Sequence, residues 1–123
     1  MIKFILISIF ILIFNSKAYA LELLMINSKN CFYCKKFLTE VASNYNIPQL
    51  PLKIINENDK PKWFSNAYKQ KKIKPYRGTP TFIIWDEIGE YEINRIRGYG
   101  GKDIFYKHLK NIFVNFIKMN EKS

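Results

Sequence analysis

The amino-acid sequence predicts an α/β domain in which a four-stranded mixed sheet is flanked by three helices. Two patterns predict this class. An apolar run at residues 21–26 is followed by a helical pattern and then by a second strand-like run, the order of a βαβ unit with a parallel pair of strands. Residues 81–85 and 91–97 form two further strand-like runs joined by a turn at residues 86–89, which is typical of an antiparallel hairpin.

The first predicted strand and the first predicted helix meet at the two cysteines. The strand at residues 21–26 ends in a short polar segment. From Cys34 onward, apolar side chains recur at the spacing of an amphipathic helix: Phe37, Leu38, Val41 and Tyr45. With Asn30 as the predicted N-cap, Cys31 and Cys34 lie at the start of this helix.

A second strand and a second helix are predicted in the middle of the chain. Three apolar residues alternate along the strand: Leu50, Leu52 and Ile54. Pro51 is acceptable only near the start of this strand or at a sheet edge. Pro61 is a favoured first helical residue, and the helix is predicted to run to about Lys71. It is expected to bury four side chains: Trp63, Phe64, Ala67 and Tyr68.

A last helix is predicted after the hairpin. Gly98, Gly100 and Gly101 interrupt the chain before it. The predicted core stripe of this helix is Phe105, Leu109, Ile112, Phe113 and Phe116. The folded domain is therefore expected to span residues 21–118, with residues 119–123 as a disordered tail.

The first twenty residues have the three parts of a secretory signal peptide. Lys3 gives a positive start, residues 4–14 are apolar, and Ala18-Tyr19-Ala20 is a small-x-small cleavage site. Cleavage after Ala20 is expected to place the domain outside the cytoplasm, in a bacterial periplasm. A membrane span needs about 20 apolar residues, so this run is short for an anchor. Anchoring by residues 2–14 is the alternative.

The net charge of the chain limits the classes of partner that it is expected to bind. The 123 residues carry a formal net charge of +10, and removal of residues 1–20 takes away Lys3 and Lys17 and leaves +8 on 103 residues. That length suffices for one small domain with one core. A basic surface attracts anionic partners, but the predicted export argues against nucleic acid. The ten Phe and eight Tyr are interpreted as core residues rather than as a base-stacking surface.

Cys31 and Cys34 are the only cysteines, and two residues separate them. Export favours a disulfide, but the short loop between them would gain little stability from a structural crosslink. A zinc site needs four ligands. The single histidine, His108, is interpreted as a packing or surface residue of the last helix, so no metal site is predicted. A Cu(I) carrier, which needs only two thiolates, is an alternative.

A CxxC pair at the start of the helix of a βαβ unit is a redox motif. The unpaired N–H groups of a helix N-terminus stabilise a thiolate by about 0.3–1 kcal/mol, and by up to about 2 kcal/mol when it is partly buried. Lys35 adds positive charge, whereas Cys34 begins the apolar stripe and is expected to be shielded. Cys31 is therefore predicted to attack a partner disulfide and Cys34 to resolve the mixed disulfide. No cofactor is predicted beyond the redox-active Cys31–Cys34 disulfide.

The order of these motifs resembles the thioredoxin superfamily over nearly the whole chain after residue 20. The resemblance rests on the strand, the CxxC pair, the helix, and the later segment RGTPTFIIW at residues 77–85, followed by the hairpin and a final helix. It implies a minimal thioredoxin-like fold and a cis peptide bond before Pro80, beside the disulfide. It also implies that the Thr79 backbone pairs with a substrate chain, with Phe32 and Tyr99 lining the same substrate site.

Several residues depart from thioredoxin itself. Phe32-Tyr33 replaces its Gly-Pro dipeptide, and Met25 replaces its buried acid, which puts the usual proton relay to Cys34 in doubt. Lys53 matches the lysine that accompanies that acid. It is expected either to support the site as a basic neighbour or to be an exposed lysine. Tyr33 is similar to the residue found before the second cysteine in glutaredoxins and periplasmic disulfide isomerases.

These features predict an exported thiol:disulfide oxidoreductase. The lack of a histidine between the cysteines favours a reductase over an oxidant. The layout is similar to exported thioredoxin-like proteins of sulfur-oxidation and cytochrome c maturation systems. The expected partners of the monomeric protein are protein disulfides and a membrane electron donor. A disulfide isomerase, an oxidant, and a binding module with secondary cysteines are the alternatives.

Overall fold

The computed structural model describes residues 20–121. The predicted signal peptide, apart from Ala20, lies outside the described residues, as does the end of the predicted tail. The elements in chain order are β1 (Leu21–Asn27), α1 (Phe32–Glu40), β2 (Leu52–Asn56), α2 (Lys62–Lys69), β3 (Thr81–Asp86), β4 (Tyr91–Arg97) and α3 (Lys102–Glu121).

The four strands form one mixed sheet in the order β2-β1-β3-β4. β1 pairs with β2 in parallel, and it pairs with β3 antiparallel; β3 and β4 form the antiparallel hairpin. The crossover from β1 to β2 contains α1, as a parallel pair requires. The predicted fold class, a mixed sheet with a parallel pair, a hairpin and three helices, is confirmed.

The sheet divides the core into two clusters on its two faces. Residues alternate between the faces along each strand, so Leu23 and Met25 face one cluster while Leu24 and Ile26 face the other. The first cluster also contains buried side chains from α1 and α3: Cys34, Phe37, Phe105 and Leu109. The second cluster contains side chains of α2 and β3: Phe64, Ala67, Ile83 and Trp85. All six residues of β3, the central strand between β1 and β4, are buried.

The helix α1 is shorter than its apolar pattern predicted. It ends at Glu40, and a short 3-10 helix follows at Ala42–Asn44, so Tyr45 lies outside it. Tyr45 is nevertheless packed against the first cluster, and its hydroxyl donates a hydrogen bond to the Leu50 carbonyl at 2.5 Å. The periodic pattern thus found the core residues but not the end of the helix.

The pattern of buried residues in β2 differs from the predicted alternation. Ile54 is exposed and Ile55 is buried, while Leu50 is fully buried in the loop before the strand. The reason is the position of β2 at the edge of the sheet, where it pairs only with β1. Pro51 precedes this edge strand, in agreement with the limits that proline imposes.

The second and third helices also differ in detail from prediction. In α2, Phe64 and Ala67 are buried, but the rings of Trp63 and Tyr68 are exposed, because a helix of eight residues turns only one narrow stripe toward the sheet. Pro61 is the N-cap residue rather than the first helical residue. Helix α3 continues to Glu121, so the segment from Met119 to Glu121, expected to be part of a disordered tail, is helical. Within residues 20–121, no helix has the length and apolar character needed to cross a membrane.

Phe37 anchors α1 to the sheet, and its removal is expected to destabilise the protein strongly. Its ring is fully buried and lies edge-on to Phe82 and Phe105, with centroids 4.6 Å and 5.1 Å away. Phe37→Ala should lower the free energy of unfolding by about 3–5 kcal/mol. Phe32→Ala, which truncates an exposed ring on the same helix, should change it by no more than about 0.5 kcal/mol. Urea unfolding followed by tryptophan fluorescence measures both; equal midpoints for the two variants would contradict the assignment of Phe37.

Candidate active site

The first turn of α1 holds the sulfur of Cys31 against a backbone amide. Cys31 is the N-cap residue of α1, with φ −95° and ψ 109°, and its Sγ accepts a hydrogen bond from the Cys34 N–H at 3.1 Å. An N-cap side chain normally satisfies one of the free N–H groups of the first turn in this way. Asn30 was predicted to be the N-cap, and that prediction is wrong. It has φ +59° and belongs to the turn before the helix.

The two cysteines are bonded to each other and differ strongly in exposure. They form a disulfide, with their Cα atoms 5.2 Å apart. Cys31 is partly exposed, whereas Cys34 is fully buried in the first core cluster, among Met25 and Phe37. The geometry that the sequence predicted, an accessible leading sulfur and a shielded second sulfur, is therefore present. A protein disulfide can approach Cys31 but not Cys34.

The segment before β3 lies directly against Cys31. The Thr79–Pro80 peptide bond is cis, and Pro80 is buried. The Thr79 carbonyl oxygen lies 3.4 Å from Cys31 Sγ, within reach of a thiol hydrogen once the disulfide is reduced. Two further bonds hold this segment: the Thr81 hydroxyl donates to the Gly78 carbonyl at 2.9 Å, and the Gly98 N–H donates to the Pro80 carbonyl at 2.9 Å. The structure thus brings together the two motifs that lie about forty-five residues apart in sequence.

Two exposed aromatic side chains directly follow Cys31 in the first turn of α1. Phe32 is 70% exposed and Tyr33 is 53% exposed, and their rings meet edge-on with centroids 5.2 Å apart. Lys35 is also exposed on the first turn, and this turn carries no acidic residue. Water-exposed apolar rings next to a reactive group provide area for contact with another protein.

Tyr99 lies in the core rather than in an open groove. It is only 6% exposed, and its ring packs edge-on against Phe37 with centroids 5.5 Å apart. Its hydroxyl donates a hydrogen bond to Glu40 Oε1 at 3.1 Å, which ties the loop after β4 to the end of α1. The Tyr99 ring is thus part of the core, and its contact with a substrate stays a prediction. The glycines beside it suggested an exposed loop, but the ring turns inward to fill the space beside Phe37.

Lys53 lies away from the cysteines. It pairs in register with Leu24, whose side chain faces the second cluster, whereas Cys34 is in the first. Its Nζ forms an ion pair with Glu22 Oε2 at 2.9 Å and lies 5.6 Å from the centroid of Trp63. Of the two roles considered for Lys53, support of Cys34 is excluded by its place on the opposite face.

The buried acid of β1 is Glu22, which the sequence analysis did not single out. It lies at the far end of β1 from Cys31, about 16 Å from Asn27 at the usual rise of a strand. With Lys53 and Trp63 it lines an open groove of about 530 Å³. The nearby Glu22 carboxylate raises the pKa of Glu87, first through a hydrogen bond and then through charge repulsion. This group of charges is thus separate from the disulfide. Within residues 20–121, no cluster of His, Cys, Asp or Glu side chains could hold a metal ion.

Sequence reasoning also missed Ser28. Its hydroxyl lies 2.5 Å from the hydroxyl of Thr79. Only the pairing register of β1 with β3 indicates that Ser28 and Thr79 are neighbours. The last pair in that register is Ile26 with Thr81. Two further steps along both strands bring Ser28 opposite Thr79. That register could not be read from a single sequence.

Comparison with known proteins agrees with this geometry. A sequence model described as a thioredoxin-like domain matches residues 15–113, most of the chain. The chain belongs to the thioredoxin-like family. Because its CxxC pair forms a disulfide at the start of α1, the thioredoxin-like protein is a thiol:disulfide oxidoreductase. Comparison with curated protein sequences gives no significant match.

Solved structures of thioredoxins share the fold. The periplasmic thioredoxin SoxS of Paracoccus pantotrophus is 27% identical, with a TM-score of 0.59 over 75% of this chain and 94% of that chain. A thioredoxin of Thermus thermophilus is 21% identical, with a TM-score of 0.53 over 76% of this chain and 74% of that chain. Thioredoxin-2 of the malaria parasite is 17% identical, with a TM-score of 0.52 over 78% of this chain and 86% of that chain. The last two support the thioredoxin-like fold alone.

The difference between the two sulfurs gives a first prediction for the site. In the reduced protein at neutral pH, an alkylating reagent should modify Cys31 at least about ten times faster than Cys34, because Cys31 Sγ receives an amide hydrogen bond and Cys31 is partly exposed, whereas Cys34 is fully buried. Peptide mapping by mass spectrometry after brief labelling measures both rates. In urea the two thiols should react at similar rates. Faster labelling of Cys34 in the folded protein would contradict the assignment.

Tyr99 gives a second prediction, which concerns the stability of the protein at alkaline pH. Burial, together with the hydrogen bond to Glu40, raises the pKa of Tyr99 to about 12, against about 10 in an unfolded chain. The folded state therefore holds this proton more tightly, so the stabilisation is complete below pH 10 and is lost as pH rises from about 10 to about 12. The gap in unfolding free energy between the native protein and Tyr99→Phe should shrink across that range. Urea midpoints at each pH measure it, and a gap independent of pH would contradict the prediction.

Proposed function

We propose that the protein is an exported reductase of protein disulfides. The observation that carries the proposal is the hydrogen bond from the Cys34 N–H to Cys31 Sγ at 3.1 Å, made at a partly exposed position while Cys34 itself is buried. This arrangement supplies one attacking sulfur and one resolving sulfur. It supports an enzyme that turns over rather than a crosslink that only stabilises the fold.

The proposed reaction has two exchange steps. The Cys31 thiolate attacks one sulfur of a substrate disulfide, the substrate S–S bond breaks, and the other substrate sulfur leaves as a thiolate that takes a proton. The Cys34 thiol then loses its proton and attacks Cys31 Sγ, which breaks the mixed disulfide and releases the second substrate sulfur. The substrate gains two electrons and two protons, and the Cys31–Cys34 disulfide is formed.

Thr79 and Phe32 are the residues proposed to hold the substrate. The Thr79 carbonyl lies 3.4 Å from Cys31 Sγ, so a peptide that pairs with the Thr79 backbone would have its own cystine sulfur at the attacking atom. The exposed rings of Phe32 and Tyr33, which follow Cys31 in the chain, would supply apolar contact area for the same substrate. The substrate is therefore an extended, accessible segment around a disulfide.

Two features of the site favour reduction over oxidation. A strongly oxidising dithiol is one whose reduced form is greatly stabilised. Here the Phe32-Tyr33 dipeptide carries no positive charge, and the negative end of the Thr79 carbonyl dipole faces Cys31 Sγ and opposes a thiolate. Both limit the stability of the reduced form. The balance supports electron donation to substrates.

The proposed location is outside the cytoplasm. It is supported by the signal-like pattern of residues 1–20 and by the similarity to a thioredoxin described as periplasmic. An oxidising compartment would leave the Cys31–Cys34 disulfide formed after each turnover. We therefore propose that a membrane protein carrying reducing power from the cytoplasm restores the dithiol, and that the protein acts as a monomer.

Trapping of mixed disulfides tests the proposed function. Without its resolving sulfur, Cys34→Ser should accumulate covalent adducts with substrate proteins, visible on non-reducing gels and removed by a reductant. Turnover of insulin disulfides should fall by at least about a hundredfold, since without Cys34 the mixed disulfide is broken only by the slower attack of the external dithiol.

The matched controls are Cys31→Ser and the double variant Cys31→Ser/Cys34→Ser. Both should form no adducts, because the attacking sulfur is absent. If the native protein reduces no protein disulfide and Cys34→Ser captures nothing, the proposed function is wrong. If the native protein is isolated from the periplasm mainly as the disulfide and oxidises reduced proteins instead, the direction is wrong.

A further inference from the structure

The hydroxyl groups of Ser28 and Thr79 join two loops at the active-site end of the sheet. Their oxygen atoms are 2.5 Å apart, within the range of an O–H···O hydrogen bond. Ser28 follows β1 and precedes the turn to Cys31, and Thr79 precedes β3. The bond therefore links the loop that carries the attacking sulfur to the segment proposed to hold the substrate.

The position of this bond explains why a side chain is needed there. β1 and β3 pair antiparallel up to Ile26 and Thr81. The next residue of β3 toward the active site is Pro80, which has no N–H to donate, so the backbone ladder stops. Ser28 and Thr79 come one step beyond that gap in the same register. Their hydroxyl pair continues the connection between the two strands where the backbone cannot.

The bond also helps to fix the backbone carbonyl that lies against the attacking sulfur. Thr79 Oγ1 is held by Ser28, while the carbonyl oxygen of the same residue lies 3.4 Å from Cys31 Sγ. The neighbouring Thr81 hydroxyl holds Gly78 from the other side, at 2.9 Å. Free rotation about the backbone of Thr79 would move both its carbonyl and the edge offered to a substrate.

We propose that Ser28 is a positioning residue for substrate docking, whose hydroxyl holds Thr79 so that its backbone edge meets an incoming disulfide-bonded peptide at Cys31. This inference rests on the substrate-binding role of Thr79 in the proposed function. It adds a residue outside the CxxC and Thr79-Pro80 motifs, and it assigns that residue to substrate binding rather than to the exchange chemistry.

A double-mutant cycle tests the inference. The variants are Ser28→Ala, Thr79→Val, which removes the hydroxyl at nearly constant shape, and their combination. Steady-state reduction of a disulfide-bonded peptide should show KM raised by about two- to tenfold in Ser28→Ala, the loss of one hydrogen bond, with a smaller change in kcat. Because both single variants break the same bond, the double variant should be no worse than the poorer single one.

Two variants serve as controls. Ser28→Thr keeps a hydroxyl and should restore KM to within about twofold of the native value. Ser43→Ala removes a serine hydroxyl that bonds only to the Thr39 carbonyl at the exposed end of α1, and it should leave both constants unchanged. Circular dichroism and thermal unfolding confirm that each variant is folded. If Ser28→Ala is too unstable to assay, the same hydroxyl pair can be tested in two other ways. Ser28→Gly also removes the Ser28 hydroxyl, and a comparison of Thr79→Val with Thr79→Ser shows the effect of removing or keeping the Thr79 hydroxyl.

The outcomes separate this inference from the proposed function. If the native protein does not reduce the peptide, the proposed function fails. If the native protein is active and Ser28→Ala has native KM, the positioning role is wrong. Multiplicative effects of Ser28→Ala and Thr79→Val would also overturn it, since they would show that the two hydroxyls act independently.

Discussion

The start of helix α1 at Cys31 is the constraint on which the chemistry of this protein depends. The Cys34 amide is at once part of the first helical turn and the hydrogen-bond donor to Cys31 Sγ. Any shift of the helix would therefore move the donor away from the sulfur. Phe37 prevents such a shift, because its ring lies one turn further along and is enclosed by side chains of β3 and α3. The packing of an apolar ring thus maintains the hydrogen bond to a partly exposed sulfur.

The sheet keeps this chemistry apart from the other charged region of the molecule. The disulfide belongs to the face covered by α1 and α3, whereas the Glu22–Lys53 ion pair and the exposed Trp63 lie on the face covered by α2. Strand alternation produces this separation, since neighbouring residues of β1 point to opposite faces. The buried carboxylate of Glu22 therefore cannot serve Cys34 as a proton acceptor, and Met25, which belongs to the same core cluster as Cys34, has no ionisable group.

The sequence predicted the elements and the role of the cysteines better than it predicted their neighbours. Periodicity located all four strands and three helices, and the apolar stripe beginning at Cys34 predicted its burial. The differences concern Lys53, Trp63 and Tyr68, whose environment depends on which face of the sheet or helix a residue takes. A shift of one residue in register moves a side chain to the opposite face, and a single sequence does not specify the register between β1 and β2. The contact of Ser28 with Thr79 was hidden for the same reason, as it arises from the pairing of strands more than fifty residues apart.

The complete burial of Cys34 determines how the protein can react with small thiols. A small thiol such as glutathione can attack the Cys31–Cys34 disulfide only at Cys31, which forms a mixed disulfide there and leaves Cys34 as a thiol. The Cys34 thiol, which is out of reach of the solvent, can then attack Cys31 Sγ, release the small thiol and re-form the Cys31–Cys34 disulfide. The fold therefore allows the protein to reverse its own modification by a small thiol.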